Sequence, residues 1–176
     1  MNIKNILIIG AIVAFGALVV FARASIEASG TTTIDTPDRA TYEQAKPDVI
    51  TVYKTEACGC CLNWVDHLER NDLEVEIVNV ASTAPTREHF GVPPQLLSCH
   101  TGSINGYWVE GHVPADLVQK LITEKPTDIR GISAPGMPMG SPGMEGPNPV
   151  KFDIIAYHAD GTTSVYATRQ GKEAVE

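Results

Sequence analysis

The chain has little positive charge. It carries 13 basic against 21 acidic residues, a formal net charge of −8. Because a nucleic-acid partner requires a basic face, this balance excludes nucleic acid as the expected ligand. Internal repeats are missing too, which excludes a repeat architecture. The sequence shows no signal for the cell wall or an organelle. Its acidic net charge should weakly attract cations.

The one long apolar run predicts export. Lys4 supplies a positive start, residues 6–22 are apolar or small, and residues 22–24 fit the A-x-A cleavage pattern. We therefore predict a signal peptide over residues 1–24 and a periplasmic protein. An uncleaved membrane anchor is the alternative, because the run is close to the lower limit of about 17 residues for spanning a bilayer.

Removal of the signal leaves about 150 residues, enough for one domain with its own core. Residues 25–46 are polar and predict a flexible N-terminal arm. The compact domain is predicted over residues 47–170.

The start of this domain predicts a βαβ unit. Residues 49–53 and 73–80 indicate two strands, and apolar residues recur at helical spacing from Cys61 to Leu68 between them. The loop before the helix then lies at the carboxyl end of the first strand, where open α/β folds place their sites. We therefore expect an α/β domain with a mixed sheet flanked by helices.

The rest of the domain predicts shorter elements. A weak helix is expected over residues 81–91, two strands over 96–99 and 104–109 with a turn at 101–103, and a helix from Pro114 that ends before Pro126. A Pro/Gly-rich loop follows over 135–145. Asp160-Gly161 then predicts a hairpin between strands 152–157 and 163–166.

Three of the four cysteines stand within four residues, as Cys58, Cys60 and Cys61, and the fourth is Cys99. Disulfides between positions 58 and 60, or 60 and 61, would strain the preferred geometry. The remaining full connectivity joins 58 to 61 and 60 to 99, so a purely structural framework is awkward. The cluster points instead to metal or thiol redox chemistry.

A redox interpretation rests on Cys58 and Cys61, which form a C-x-x-C motif between a strand and a helix. This is the redox position of thioredoxin-like folds, and a helix N-terminus favours thiolate. Cys58 would be the nucleophile and Cys61 the resolving thiol. Cys60, where thioredoxins carry proline, argues against simple exchange, because a third thiol offers competing disulfides.

A metal interpretation uses all four thiols. Thiolates select Cu(I) or zinc, but zinc prefers four tetrahedral ligands from two paired knuckles. Here one crowded knuckle is joined by the distant Cys99. Cu(I) accepts low coordination, and bridging thiolates can hold more than one ion, so copper fits better. We expect Cys99 and His100 to complete the site at a strand end, where adjacent side chains can face one centre.

Four further residues are candidate ligands. His112 precedes the helix at Pro114 and is either a ligand or a structural loop residue. Met137, Met139 and Met144 are either thioether ligands or residues that pack on the domain.

Several motifs follow one another in a set order. They are Cys58-Gly59-Cys60-Cys61, Ser98-Cys99-His100-Thr101, the segment 106–115 and the segment 135–145. Between Val49 and Tyr166 the chain thereby resembles the CopG-type copper-resistance family, a periplasmic thioredoxin-like group. The resemblance implies a thioredoxin-like single domain, export, and copper binding through the Cys-x-Cys-Cys and Cys-His motifs. A redox role in copper handling is suspected for the family.

The sequence thus predicts an exported protein that protects against copper by binding it, as Cu(I) and as more than one ion. The alternative is a thiol–disulfide or copper oxidoreductase that uses Cys58 and Cys61. The expected partners are copper ions and another periplasmic copper-handling protein. A membrane is a partner only if the N-terminal segment is not cleaved.

Overall fold

The computed structural model describes Tyr42, residues 46–171 and residues 173–175. The predicted signal peptide lies outside these residues, as does the predicted arm apart from Tyr42 and Lys46, and both stay predictions. Tyr42 is buried beside Tyr53, with ring centroids 5.2 Å apart. Within the described part of the chain, no helix combines the length and apolarity that a membrane span requires.

Eight strands and three α-helices lie between residues 46 and 175. They are β1 (Val49–Lys54), α1 (Gly59–Glu69), β2 (Glu74–Asn79), α2 (Ala84–Phe90), β3 (Thr101–Ile104), β4 (Tyr107–Glu110), α3 (Ala115–Glu124), β5 (Ile129–Ser133), β6 (Lys151–His158), β7 (Thr163–Gln170) and β8 (Glu173–Ala174). A short 3-10 helix, Pro94–Leu96, stands between α2 and β3. The predicted α/β class is confirmed.

All eight strands form one mixed sheet in the order β2-β1-β3-β4-β5-β6-β7-β8. β1 and β2 pair in parallel and are connected by α1, and β4 and β5 pair in parallel and are connected by α3. The other neighbours pair antiparallel. The predicted βαβ start is therefore present, and the cysteine loop follows the carboxyl end of β1.

Both connecting helices bury their apolar faces in one core. α1 buries the residues that the helical spacing predicted, including Trp64 and Leu68, and α3 buries Leu117, Val118 and Leu121. The Trp64 indole Nε1 donates a hydrogen bond of 2.8 Å to the Val113 carbonyl. This buried bond ties the helix that carries the cysteines to the segment that carries His112.

The hairpin before α3 lies further along the chain than predicted. The strand expected over 96–99 is wrong, because residues 94–96 form the 3-10 helix and residues 97–100 are irregular. The turn lies at Asn105-Gly106, with φ of 49° and 85°, the backbone of a two-residue hairpin turn. Pro93 and Pro94 explain why no strand begins at residue 96, since proline cannot donate to a strand ladder but fits the first turn of a helix. Asn105-Gly106 explains where the hairpin turns.

β5 is a strand that the sequence did not predict. Gly131 interrupts its apolar pattern and weakens the strand signal. The structure shows why glycine stands there: a Cβ at this position would lie 2.1 Å from Cδ2 of the Trp108 ring. The close packing of Trp108 on the backbone of β5 requires a residue without a side chain.

Replacing Gly131 by alanine should therefore destabilise the fold. We expect a loss of about 1–3 kcal/mol in the free energy of unfolding, the range typical of overpacking. Gly59→Ala is the matched control, because nothing lies within 4 Å of a Cβ built there. Urea denaturation of the metal-free variants measures both. An equal loss in the two variants would show that the Trp108 contact does not decide the outcome.

Candidate metal centre

The cysteine loop leads directly from β1 into α1. Cys58 is the N-cap residue of the helix, and Cys60 and Cys61 lie in its first turn. The Cys61 side chain is buried, whereas Cys58 and Cys60 are half-buried. Among the described residues, no side chain caps the helix start, so the positive end of the helix dipole faces the cysteine loop.

The structure brings Cys99 to this loop. Its Sγ lies 3.6 Å from Sγ of Cys61, and Sγ of Cys60 lies 3.7 Å from that of Cys58. Cys58 and Cys61 form a disulfide, while Cys60 and Cys99 keep free thiols. All four sulfur atoms lie within 4.8 Å of one another. Reduction of the disulfide would therefore present four thiols in one place.

Cys99 also belongs to a second group of candidate ligands. Its Sγ lies 3.2 Å from Nδ1 of His100 and 3.1 Å from Nε2 of His112. Cys99 and His100 lie in the loop immediately before β3, and not at the end of the strand that the sequence predicted over 96–99. Cys99 is thus shared between an all-sulfur group and a group of one sulfur and two nitrogen atoms.

The two histidines are buried and neutral. Desolvation lowers the pKa of His100 well below its usual range, and repulsion from His112 adds to this. Desolvation also lowers the pKa of His112. Neutral imidazole is the form that binds a metal ion. Among the described residues, Nε2 of His100 is buried and has no hydrogen-bond partner.

The orientation of His112 is set by a backbone carbonyl. Its Nδ1 lies 2.7 Å from the oxygen of Pro142. Because a carbonyl can only accept, Nδ1 must carry the proton, and the lone pair of Nε2 faces Sγ of Cys99. An outer contact of this kind fixes the tautomer of metal-binding histidines in general.

Cys99 is a protonated thiol in the metal-free protein. Burial raises its pKa to about 12, and repulsion from Cys60 contributes. A bound cation would have to displace this proton, so occupation of the centre is coupled to proton release.

The Pro/Gly-rich loop at 135–145 lies against the centre. Besides the Pro142 contact, Gly143 packs so closely on α1 that a Cβ there would lie 2.9 Å from the Cys60 carbonyl oxygen. The side chains of Met137 and Met139 are 54% and 44% exposed, and Met144 is half-buried. The loop reaches the centre through the Pro142 carbonyl and the backbone at Gly143, and the Glu145 carboxylate acts on His112 through its charge.

The sequence did not predict two groups that contact the candidate ligands or the residues beside them, the Pro142 carbonyl and the Glu110 carboxylate. The Pro142 carbonyl leaves no signal, because any residue supplies one. Glu110 did leave a signal, a carboxylate that follows the apolar run at the end of β4, and it is fully buried.

The fold and the centre define an α/β protein in which thiols and imidazoles lie close enough together that they could hold a soft metal ion. The family model described as "Protein of unknown function, DUF411" matches residues 96–144.

Two solved structures, named copper resistance protein CopG forms 1 and 2, are each 40% identical to this chain with a TM-score of 0.66. Their matches cover 72% and 70% of this chain, and 100% and 99% of theirs. The chain therefore belongs to the CopG-type copper-resistance family, as its motifs suggested. None of the curated proteins matches it.

The lowered histidine pKa values predict how stability depends on pH. An unfolded chain binds a proton to histidine near pH 6.5, whereas the folded chain keeps His100 neutral to a lower pH. Since the unfolded state then binds more protons, the stability of the metal-free protein should fall as pH is lowered from about 7.5 to 5.5.

Thermal unfolding of the metal-free protein across this range measures the slope. His100→Asn should flatten it, whereas the same substitution at the exposed His89 should leave it unchanged. A His100→Asn variant with the full slope would contradict the prediction.

Proposed function

We propose that this chain is an exported copper-resistance protein that binds Cu(I) through its cysteine cluster. The proposed ligands are Cys58, Cys60, Cys61, Cys99 and His100, with His112 as a further nitrogen ligand. The observation that carries the proposal is the convergence of four sulfur atoms within 4.8 Å, from two loops that are far apart in sequence. Family membership supports copper as the metal.

The chemistry of the donor set favours the cuprous state. Thiolate sulfur is soft and selects Cu(I), and neutral imidazole also suits copper. Cys99 is a member of both ligand groups. A thiolate in that position can bridge two ions, so we propose that the centre holds more than one. The copper would be exchanged with another copper-handling protein of the periplasm.

We further assign the domain to the thioredoxin-like arrangement. Two observations support this: the sheet order β2-β1-β3-β4 around a parallel β1–β2 pair, and a C-x-x-C motif where α1 begins. That motif beside a βαβ unit is typical of thioredoxin-like folds.

A thiol–disulfide or copper oxidoreductase is the second candidate, and the Cys58–Cys61 disulfide favours it. In such a reaction the two thiols would give up two electrons and two protons as the disulfide closes, and two Cu(II) ions would become Cu(I). The closed disulfide withdraws two sulfur ligands from the cluster, so retention of copper would depend on the redox state.

Substitution of Cys60 separates these two functions. Under anaerobic reducing conditions the wild type should bind Cu(I), and Cys60→Ser should lose most of this copper because the hydroxyl is a poor ligand for it. The ratio of metal to protein after desalting is the measurement. Leu62→Ser, an exposed neighbour in the same helix, is the matched control and should keep its copper.

The outcomes are distinct. A Cys60→Ser protein that retains all its copper and exchanges rapidly with a test disulfide would favour the oxidoreductase. A reduced wild-type protein that binds no Cu(I) would refute the proposed function.

Export has its own test. The protein recovered from the periplasm should begin at Ser25, because cleavage is expected after Ala24. N-terminal sequencing and intact mass measure this. A chain that retains residues 1–24 and fractionates with membranes would support the anchor instead.

A further inference from the structure

A buried carboxylate holds the segment that carries Cys99 and His100. Glu110, the last residue of β4, is fully buried. Its Oε1 accepts a hydrogen bond of 2.7 Å from the Ser98 backbone N–H, and its Oε2 accepts one of 2.5 Å from the Thr101 hydroxyl. The carboxylate therefore binds both residues that flank the Cys-His pair.

Arg87 completes this arrangement from α2. Its Nε donates to Oε1 of Glu110 at 3.0 Å, and its terminal nitrogen donates to the Ser98 carbonyl. Both backbone polar groups of Ser98 are thereby held, one by the carboxylate and one by the guanidinium. On the other side, the Gly111 N–H donates to the His100 carbonyl at 3.0 Å.

The fold alone gives little reason for a charge at this position. Desolvation raises the pKa of Glu110, while bonds from Thr101, Ser98 and Arg87 act in the opposite direction. An apolar residue in place of a buried ion pair is often neutral or stabilising. What a carboxylate adds is acceptor geometry, because its two oxygens can hold several donors at fixed positions at once.

We propose that Glu110, held by Arg87, is a positioning residue for the metal centre. It fixes the irregular loop before β3 so that Sγ of Cys99 and the His100 ring face one point. The inference rests on the proposed function for its copper measurements, but its geometric part concerns the metal-free chain.

Glu110→Gln tests the proposal with little change in volume. The carboxamide removes the charge that pairs with Arg87, and its single acceptor oxygen serves only one side of the arrangement, so the bond from Thr101 must be lost or reversed in direction. We expect Cu(I) affinity to fall by about tenfold or more, as for other outer partners of metal ligands. Competition with a Cu(I) chelator measures it. Ile154→Val, a core truncation in β6, is the control for general destabilisation and should keep its affinity.

A mutant cycle distinguishes positioning from a general structural effect. In a Cys99→Ser/His100→Asn background the ligands that Glu110 positions are gone. Glu110→Gln should then change the remaining Cu(I) affinity by less than about twofold. A full tenfold loss in that background would overturn the proposal.

The metal-free protein gives a second measurement. With the disulfide closed, Cys60 and Cys99 are the free thiols, and peptide mapping after alkylation reports each rate. Glu110→Gln should raise the rate at Cys99 relative to Cys60 several-fold, whereas Ile154→Val should not. An unchanged ratio would overturn the proposal even if copper binding fell.

A substitute variant and a copper-independent measurement cover two possible failures of this experiment. If Glu110→Gln does not fold, Thr101→Val takes its place. This variant removes one bond to the carboxylate and preserves side-chain shape. It should shift both measurements in the direction expected for Glu110→Gln, by a smaller amount. If the wild type binds no Cu(I), the proposed function fails, and the alkylation ratio still tests the positioning role.

Discussion

The antiparallel pairing of β1 with β3 is the constraint on which the centre depends. Tyr53 pairs with Thr101, so the carboxyl end of β1 and the start of β3 lie side by side. The chain leaves β1 toward the cysteine loop and enters β3 from Cys99 and His100. Because antiparallel strands bring the end of one beside the beginning of the other, two loops that are distant in sequence meet at the same end of these two strands.

Three candidate ligands of the resulting centre, Cys99, His100 and His112, are uncharged in the metal-free chain. The histidines are held neutral by desolvation, and burial keeps the Cys99 thiol protonated. The net negative charge of the chain is therefore not located on these three candidate ligands. Under the proposed function a cation would have to displace the Cys99 proton, so its binding would depend on short-range ligand chemistry more than on long-range attraction.

The sequence predicted the parts of this centre that leave a local pattern. The thiol spacing, the strand before the cysteine loop and the buried face of α1 were all visible, whereas the strand expected to end at Cys99 is absent. His112 stayed undecided, because only the tertiary fold brings it to Cys99. The hairpin register was wrong because Asn105-Gly106 was not weighed as a turn, and β5 was missed because Gly131 serves a contact on another strand.

The hydrogen bond from His112 to the Pro142 carbonyl also bears on how the chain tolerates mutation. Every amino acid carries a backbone carbonyl, so no substitution at position 142 can remove this acceptor. The position of the carbonyl is sensitive to substitution at the next residue instead. A Cβ at Gly143 would lie 2.7 Å from the backbone nitrogen of Trp64. Any larger residue must push the loop away from α1 and carry the carbonyl with it. The hydrogen bond that sets the His112 tautomer is therefore most sensitive to mutation at Gly143, the residue that follows the proline supplying the carbonyl.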